Sequence, residues 1–225
     1  MHVAVLLHGS GVYDGTEIQE AVFTLLALAQ NGHSYQCVAP NIEQHHVIDH
    51  TKGEEMQETR NVLIESARIA RGDIKDLSEV DITDFDALAM PGGFGTAKNF
   101  TKWAFSGPEG PIVEDIKNLI LGFLDQKKSI LAMCMSPTTI AKAIEGTNYH
   151  PKLTVGSTSE ASPYEIEAIS QGINSTGAVA EMKTVKEVLV DRDLKIITAP
   201  CYMMEASITE VYENIQSAVK ELTAL

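Results

Sequence analysis

A single cysteine carries the strongest chemical signal in this sequence of 225 residues. Cys134 ends an apolar run, Ser129–Met133, and a helix is predicted to start at once, with Ser136 as N-cap and Pro137 as the first helical residue. A strand, a sharp turn and a helix with small neighbours are typical of a nucleophile elbow. The helix N-terminus would favour the thiolate of Cys134. The alternative is a buried structural cysteine at a strand end.

A cysteine hydrolase usually needs a histidine as its base, and two positions are candidates. His8 follows the first predicted strand, and His150 lies shortly after the elbow helix, but no motif surrounds either residue. Cys201 is the second candidate nucleophile, since it also follows a predicted strand, although without the elbow pattern. Cys37 alternates within a strand and is predicted to lie in the core.

The segment after another predicted strand contains two adjacent glycines, Gly92 and Gly93, preceded by Pro91. Adjacent glycines let backbone N–H groups approach and face a ligand, and opposite a nucleophile they would form an oxyanion hole. The alternative is a plain tight turn.

Two other clusters do not predict a cofactor or a metal. Gly9–Gly15 has a glycine spacing that misses the dinucleotide fingerprint, and the chain has no P-loop lysine. His45, His46 and His50 have no cysteine or carboxylate at a ligand spacing. No cofactor and no metal are therefore expected.

The elements that would position these residues alternate between strand and helix along the chain. This alternation predicts an α/β fold with a doubly wound, mostly parallel sheet and helices on both faces. Asp191–Asp193 predicts a hairpin turn that adds an antiparallel strand. A single domain over residues 1–225 is expected. The predicted strands are Val3–Leu7, Tyr35–Ala39, Ala87–Met90, Ser129–Met133, Glu187–Val190 and Lys195–Thr198, and the predicted helices are Glu17–Gln30, Glu58–Ala70, Ile112–Gln126, Pro137–Ile144, Tyr164–Gln171 and Ile208–Thr223.

Glu20 lies on the first predicted helix, where periodicity leaves its environment open. The apolar stripe falls on the opposite side from Glu20, which favours a solvated glutamate. However, Glu20 shares its side with other residues that are not charged, which is also compatible with a helix that is covered on both faces. A glutamate buried there would have a raised pKa. The stripe consists of Ile18, Ala21, Val22, Leu25, Leu26 and Ala29, and the residues beside Glu20 are Phe23, Thr24 and Ala27.

Composition limits the classes of partner. The formal net charge of −14 makes nucleic acid and anionic membranes improbable partners, and 44% hydrophobic residues suffice for a sizeable core. Three cysteines and no signal-like N-terminus predict a reducing, cytoplasmic location.

Four segments together resemble the ThiJ/PfpI (glutamine amidotransferase-like) superfamily over nearly the whole chain. They are Gly11–Glu20, Glu58–Glu65, Pro91–Asn99 and the elbow around Cys134. Within the superfamily, the sequence is most similar to the isoprenoid biosynthesis glyoxalases, also called enhancing lycopene biosynthesis or sigma cross-reacting proteins. The resemblance implies a flavodoxin-like fold and a homodimer.

The same resemblance implies the roles of five residues. Cys134 matches the nucleophile, and Glu20 matches the glutamate that hydrogen-bonds it. Gly92 and Gly93 match the loop that supplies an oxyanion N–H, with the Met135 backbone as second donor. The implied reaction converts a small aldehyde, glyoxal or methylglyoxal, to the 2-hydroxy acid through a cysteine hemithioacetal, without cofactor. Deglycation of glycated amines would be the same chemistry on a masked aldehyde.

One departure from the superfamily pattern concerns the catalytic histidine. Many members carry a histidine about one strand beyond the elbow, but here Leu153–Ser157 contains none. A Cys–His hydrolase or a glutaminase-type amidotransferase is therefore disfavoured. The alternative from another class is a redox-sensing or stress-regulatory protein that uses an oxidisable Cys134.

Overall fold

A seven-stranded sheet forms the centre of the protein in a computed structural model that describes residues 1–225. Two small two-stranded sheets lie outside it. The strands are β1 His2–Leu6, β2 Ser34–Ala39, β3 Ile48–Asp49, β4 Glu54–Glu55, β5 Ile74–Asp76, β6 Ala87–Met90, β7 Ser129–Met133, β8 Lys152–Leu153, β9 Val179–Ala180, β10 Leu189–Asp191 and β11 Ile196–Ala199. The helices are α1 Ile18–Gln30, α2 Val62–Ile69, α3 Trp103–Ser106, α4 Glu114–Asp125, α5 Pro137–Ile144, α6 Ile166–Ser175 and α7 Ile208–Ala224.

The strand order of the central sheet is β10-β11-β7-β6-β1-β2-β5. All neighbours are parallel except β10 and β11, which form the antiparallel hairpin predicted at Asp191–Asp193. The flavodoxin-like α/β fold predicted from the sequence is confirmed by this topology and by the similarity to solved structures described below.

The order of the strands reverses direction between β1 and β6. The chain passes from β1 to β2 toward one edge of the sheet, and from β6 to β7 toward the other edge. Because parallel crossovers are right-handed in nearly all proteins, α1 and α4 lie on opposite faces of the sheet. Ligands of such sheets bind outside the carboxyl ends of the strands at the reversal point. The segments that follow β1, β6, β7 and β11 meet there.

Helix α1 buries a different face from the one that its apolar stripe indicated. Glu20, Thr24 and Ala27 are fully buried. Five of the six stripe positions are not: Ile18, Val22, Leu26 and Ala29 are exposed, and Leu25 is half-buried. The helix packs on α7 and β2. The periodicity-based interpretation of Glu20 as a solvated residue is therefore wrong, because both faces of α1 are apolar enough to be covered and the stripe does not decide between them.

The sequence missed β5 and the two small sheets. β5 is a three-residue edge strand, Ile74–Asp76, that has no alternating apolar pattern of its own and pairs only with β2. No helix of the structure is both long enough and apolar enough to cross a membrane. The single domain over residues 1–225 stays a prediction.

Candidate active site

Cys134 occupies the sharp turn between β7 and α5. Its φ of 57° lies in the left-handed region, which costs energy for a residue with a side chain and is frequent at functional positions. Its N–H donates to the Ala199 carbonyl of the neighbouring strand at 2.9 Å, and only 6% of the residue is exposed. Pro137 begins α5 as predicted.

Ser136 does not cap α5 with its side chain, contrary to the prediction. Its hydroxyl instead donates to the Pro91 carbonyl at 2.6 Å, and the ring of His8 approaches the same oxygen at 3.1 Å. The Pro91 carbonyl belongs to the same peptide unit as the Gly92 N–H. Since the unit is planar, anchoring its oxygen from one side directs the N–H to the other side.

The Gly92 N–H is directed at the carboxyl group of Glu20. Glu20 Oε2 accepts from the Gly92 N–H at 2.9 Å, and Oε1 accepts from the Tyr202 N–H at 3.1 Å. Glu20 is fully buried, and its carboxyl group lies beside the thiol of Cys134, next to Gly92. The carboxyl group is therefore held between the segments that follow β6 and β11, close to the sulfur.

Burial raises the pKa of Glu20 from its ordinary value of 4.5 to about 8, and the nearby charge of Glu17 acts in the same direction. The hydrogen bonds from the N–H groups of Tyr202 and Gly92 and the proximity of the Cys134 thiol offset only part of this effect. Glu20 consequently holds a proton at neutral pH, which lets it donate to the sulfur.

The pKa of the Cys134 thiol is raised by burial and by negative charge on Glu20. The backbone N–H groups of Gly93 and Met135 act against this rise, because both face the sulfur and stabilise the thiolate. Protonation of Glu20 removes its negative charge, and with it this part of the increase in the pKa of Cys134.

Of the residues predicted to line an oxyanion hole, Gly93 and Met135 have N–H groups that face Cys134. The prediction for Gly92 needs correction, because its N–H is already bonded to Glu20 and is not free for an oxyanion. Gly92 is required for a different reason. A Cβ at this position would lie 2.6 Å from Glu20 Oε2 and 2.8 Å from Cys134 Sγ, so only glycine fits between them.

Neither candidate histidine contacts the nucleophile. Burial lowers the pKa of His8 to about 4, so the ring is neutral, and its single N–H faces the Pro91 carbonyl from Nε2. His8 Nδ1 is buried without a partner. His150 is exposed and bonds the Gly177 carbonyl at 2.8 Å.

The other two thiols differ in their relation to the site. Cys37 lies within β2, where burial raises its pKa to about 12. Cys201 follows β11, is fully buried, and also has a left-handed φ, of 47°. Its N–H is bonded to Asn214 Oδ1 at 3.0 Å, and its thiol lies near the Cys134 N–H. Cys201 thus borders the site without the elbow geometry.

Aromatic residues that the sequence did not single out line a cavity together with Met135, the residue after Cys134. Phe94 and Tyr164 meet edge to face with ring centroids 5.7 Å apart. Burial raises the pKa of Tyr164, and the charges of Cys134 and Glu20 act in the same direction. Three surface cavities meet at Tyr164, with volumes of about 310, 450 and 600 Å³. No group of three histidine, cysteine or acidic side chains is arranged to hold a metal ion.

The chain is similar to proteins in several organisms, although no family model matches it. It is 38% identical over 225 residues to the ES1 protein homolog, mitochondrial, of Rattus norvegicus, covering 99% of this chain and 83% of the relative. It is equally 38% identical over 225 residues to the human glutamine amidotransferase-like class 1 domain-containing protein 3, mitochondrial, covering 99% and 82%. The sequence-based prediction of a cytoplasmic location is contradicted, because both relatives are named as mitochondrial proteins.

The chain is also similar to proteins of known structure. A crystal structure of an isoprenoid biosynthesis protein with an amidotransferase-like domain from Ehrlichia chaffeensis superposes with a TM-score of 0.90 at 34% identity, covering 100% of this chain and 98% of the other. DJ-1beta of Drosophila melanogaster, at 16% identity and a TM-score of 0.56 with coverage of 100% and 91%, shares the fold.

Proposed function

Since the chain belongs to the family of ES1 and glutamine amidotransferase-like class 1 proteins within the DJ-1/ThiJ/PfpI superfamily, we propose that it is a cofactor-independent glyoxalase acting on glyoxal or methylglyoxal. One observation carries the proposal. A cysteine at a strained strand–helix turn lies beside a fully buried glutamate whose pKa is about 8. A carboxyl group with a pKa near the working pH can both take up and release a proton, which aldehyde rearrangement requires.

The first step forms a bond between Cys134 Sγ and an aldehyde carbon. The electron pair of the carbonyl moves to oxygen, which takes the proton of the thiol and gives a hemithioacetal. The developing negative charge on that oxygen lies where the N–H groups of Gly93 and Met135 can stabilise it.

The second step moves a proton between neighbouring carbons through Glu20. Glu20 in its ionised form, which is the minor form at neutral pH because its pKa is about 8, removes the proton from the carbon that carries sulfur, and the electrons form an enediolate with the adjacent carbonyl. Glu20 then returns the proton to the adjacent carbon, and the hydroxyl proton on the carbon that carries sulfur passes to the enediolate oxygen, which leaves a 2-hydroxyacyl thioester on Cys134. Water attacks the thioester, the carbon–sulfur bond breaks, and the sulfur leaves with a proton as the free thiol. Glyoxal thus gives glycolate.

The absence of a histidine at the thiol supports this reaction over amide hydrolysis. Amide hydrolysis needs a general acid for the leaving amine, a role that histidine plays in cysteine hydrolases. His8 is bound to Pro91 and His150 is exposed elsewhere. The rearrangement of an aldehyde releases no amine and needs only the proton transfer of Glu20.

Glycolate formation from glyoxal, followed by NMR, tests the proposal. Cys134→Ala should form no glycolate above the protein-free rate, whereas Cys201→Ala, which removes a buried thiol beside the site, should retain at least half of the wild-type rate. Full turnover by Cys134→Ala would refute the mechanism.

The alternative function, redox sensing, uses the same thiol but another reaction. Peroxide attacks a thiolate, and burial disfavours the thiolate of Cys134. Selective oxidation of Cys134 to the sulfinic acid, detected by mass spectrometry alongside negligible glyoxal turnover, would favour the sensor instead.

A further inference from the structure

The cavity of about 600 Å³ beside the Phe94–Tyr164 pair is far larger than glyoxal needs. Its volume falls in the range of about 300–1,000 Å³ that is common for sites of larger organic ligands. Aromatic rings form much of its wall, from Tyr13, Phe94, Phe105 and Tyr164. A two-carbon dialdehyde would fill a small part of it and would leave these rings without a partner.

The cavity also contains one cation, Lys98. Lys98 is half-buried and forms no ion pair within 4.0 Å and no side-chain hydrogen bond in the structure. Its Nζ lies 5.6 Å from the centroid of the Phe94 ring. Partial burial lowers the pKa of Lys98, while the carboxylates of Asp14 and Glu55 oppose this from a longer range.

Of these two carboxylates Asp14 has the larger effect on Lys98, and neither forms an ion pair with it. Asp14 Oδ2 accepts from the Ile48 N–H at 2.7 Å, whereas Oδ1 is buried without a hydrogen-bond partner, 3.8 Å from Nε2 of His50. Lys98 is therefore a half-buried cation without a direct counter-ion, in a protein whose formal net charge is −14. A group of this kind is unfavourable on its own and is compensated when an anion binds.

The cavity adjoins a second cavity that reaches the residue after the nucleophile. Phe94 follows the Gly92–Gly93 segment directly, and Lys98 lies four residues further, on the π-helical turn Thr96–Phe100. Phe94 and Tyr164 line both this cavity and the one of about 310 Å³, whose wall includes Met135. A ligand tail in the larger cavity would thus leave its head group beside Tyr164, on the side of Met135 and Cys134.

We propose that this cavity binds the tail of a larger substrate, a 2-oxoaldehyde with an apolar or aromatic body that ends in a carboxylate, and that Lys98 is the residue that recognises the carboxylate. The proposal rests on the proposed glyoxalase function for the aldehyde end only. A carboxylate fits better than a phosphate, because a single lysine matches one negative charge and no second cation lines the cavity.

Two arylglyoxals that differ only in the carboxylate test the proposal: phenylglyoxal and (4-carboxyphenyl)glyoxal. The wild-type protein should prefer the carboxylated compound in kcat/KM for formation of the mandelate product. In Lys98→Gln this preference should fall about tenfold, through a higher KM, as expected for loss of a charged hydrogen bond made in both ground and transition states. Lys75→Gln removes the same charge from an exposed position on β5 and should retain the preference.

A second readout needs no turnover. Iodoacetate and iodoacetamide alkylate Cys134 with the same chemistry but differ in charge, so the ratio of their rates reports attraction of an anion to the site. This ratio should fall several-fold in Lys98→Gln and stay constant in Lys75→Gln.

The outcomes separate the two proposals. If the wild-type protein converts neither arylglyoxal nor glyoxal, the glyoxalase function fails, and the alkylation ratio alone decides the role of Lys98. If the aldehydes are converted but both the substrate preference and the alkylation ratio are the same in Lys98→Gln and in the wild-type protein, the carboxylate site is refuted.

Discussion

Replacing Glu20 with glutamine should change how the stability of the protein depends on pH. The pKa of Glu20 is raised from 4.5 in the unfolded chain to about 8 in the folded protein. Between these values the folded state binds one more proton than the unfolded state, so stability falls as pH rises. The contribution of Glu20 is fully present below pH 4.5 and is lost as pH rises through about 8. Glutamine does not titrate, so the variant lacks this slope.

The magnitude follows from the pKa and from the hydrogen bonds. A rise from 4.5 to about 8 corresponds to about 5 kcal/mol of folding free energy, or about 1.4 kcal/mol per pH unit. Glutamine offers one carbonyl oxygen where Glu20 accepts from two N–H groups, of Gly92 and Tyr202. The unsatisfied donor should cost about 1–3 kcal/mol at every pH. Glu20→Gln is therefore expected to be less stable than the wild-type protein near pH 5.5 and to overtake it near neutral pH.

Urea unfolding at pH 5.5, 6.5 and 7.5, followed by circular dichroism at one protein concentration, measures this effect. The free-energy difference between Glu20→Gln and the wild-type protein should change by about 3 kcal/mol over this range, in favour of the variant. Groups common to both proteins, including His8, cancel in the difference. The control variant Glu79→Gln, at an exposed position, should show the same pH dependence of the free energy of unfolding as the wild-type protein. A constant difference for Glu20→Gln would refute the burial of a protonated carboxyl group.

Three further predictions concern the surroundings of the site and the surface of α1. Burial lowers the pKa of His8 to about 4, so its imidazole NMR signals should not shift between pH 8 and 5.5. The contribution of His8 to the free energy of unfolding should be lost only as pH falls from 6.5 through about 4. An NMR titration midpoint near 6.5 would contradict this. Gly92→Ala places a methyl group against Glu20 and Cys134 and should lower the rate of glycolate formation about 10²-fold. Circular dichroism should show that the variant remains folded. A rate within threefold of wild type would contradict the close contact of Gly92 with Glu20 and Cys134. We also propose that the homodimer expected from the family uses the exposed apolar positions of α1, so Val22→Glu should sediment as a monomer and the wild-type protein as a dimer; a wild-type monomer would refute this.

Many of the strands and helices could be predicted one by one from local sequence patterns. β6, β7 and α5 have the bounds that the sequence predicted, because fully buried parallel strands are continuous apolar runs and Pro137 marks a helix start. The edge strand β5 could not be predicted, since a strand that is paired on one side and partly exposed needs no apolar pattern.

The candidate site was only partly predictable. Cys134 could be identified from its own neighbours, whereas Glu20 needed the family resemblance, because which face of α1 is buried depends on packing against α7. The engagement of the Gly92 N–H by Glu20 is a contact between segments 72 residues apart, which no local pattern encodes. Tyr164 was missed for the same reason: it follows no strand of the central sheet, and only the folded chain brings it to a cavity shared with Met135.

Native mass spectrometry of Glu20→Gln exposed to glyoxal tests the pairing of Cys134 with Glu20 most directly. Without the proton transfer, the sulfur should still add to the aldehyde, so a single adduct with the mass of one glyoxal molecule should accumulate. It should map to Cys134, reverse on removal of glyoxal, and be absent in the double variant Cys134→Ala, Glu20→Gln. Glycolate formation by Glu20→Gln at the wild-type rate, with no adduct, would contradict the account.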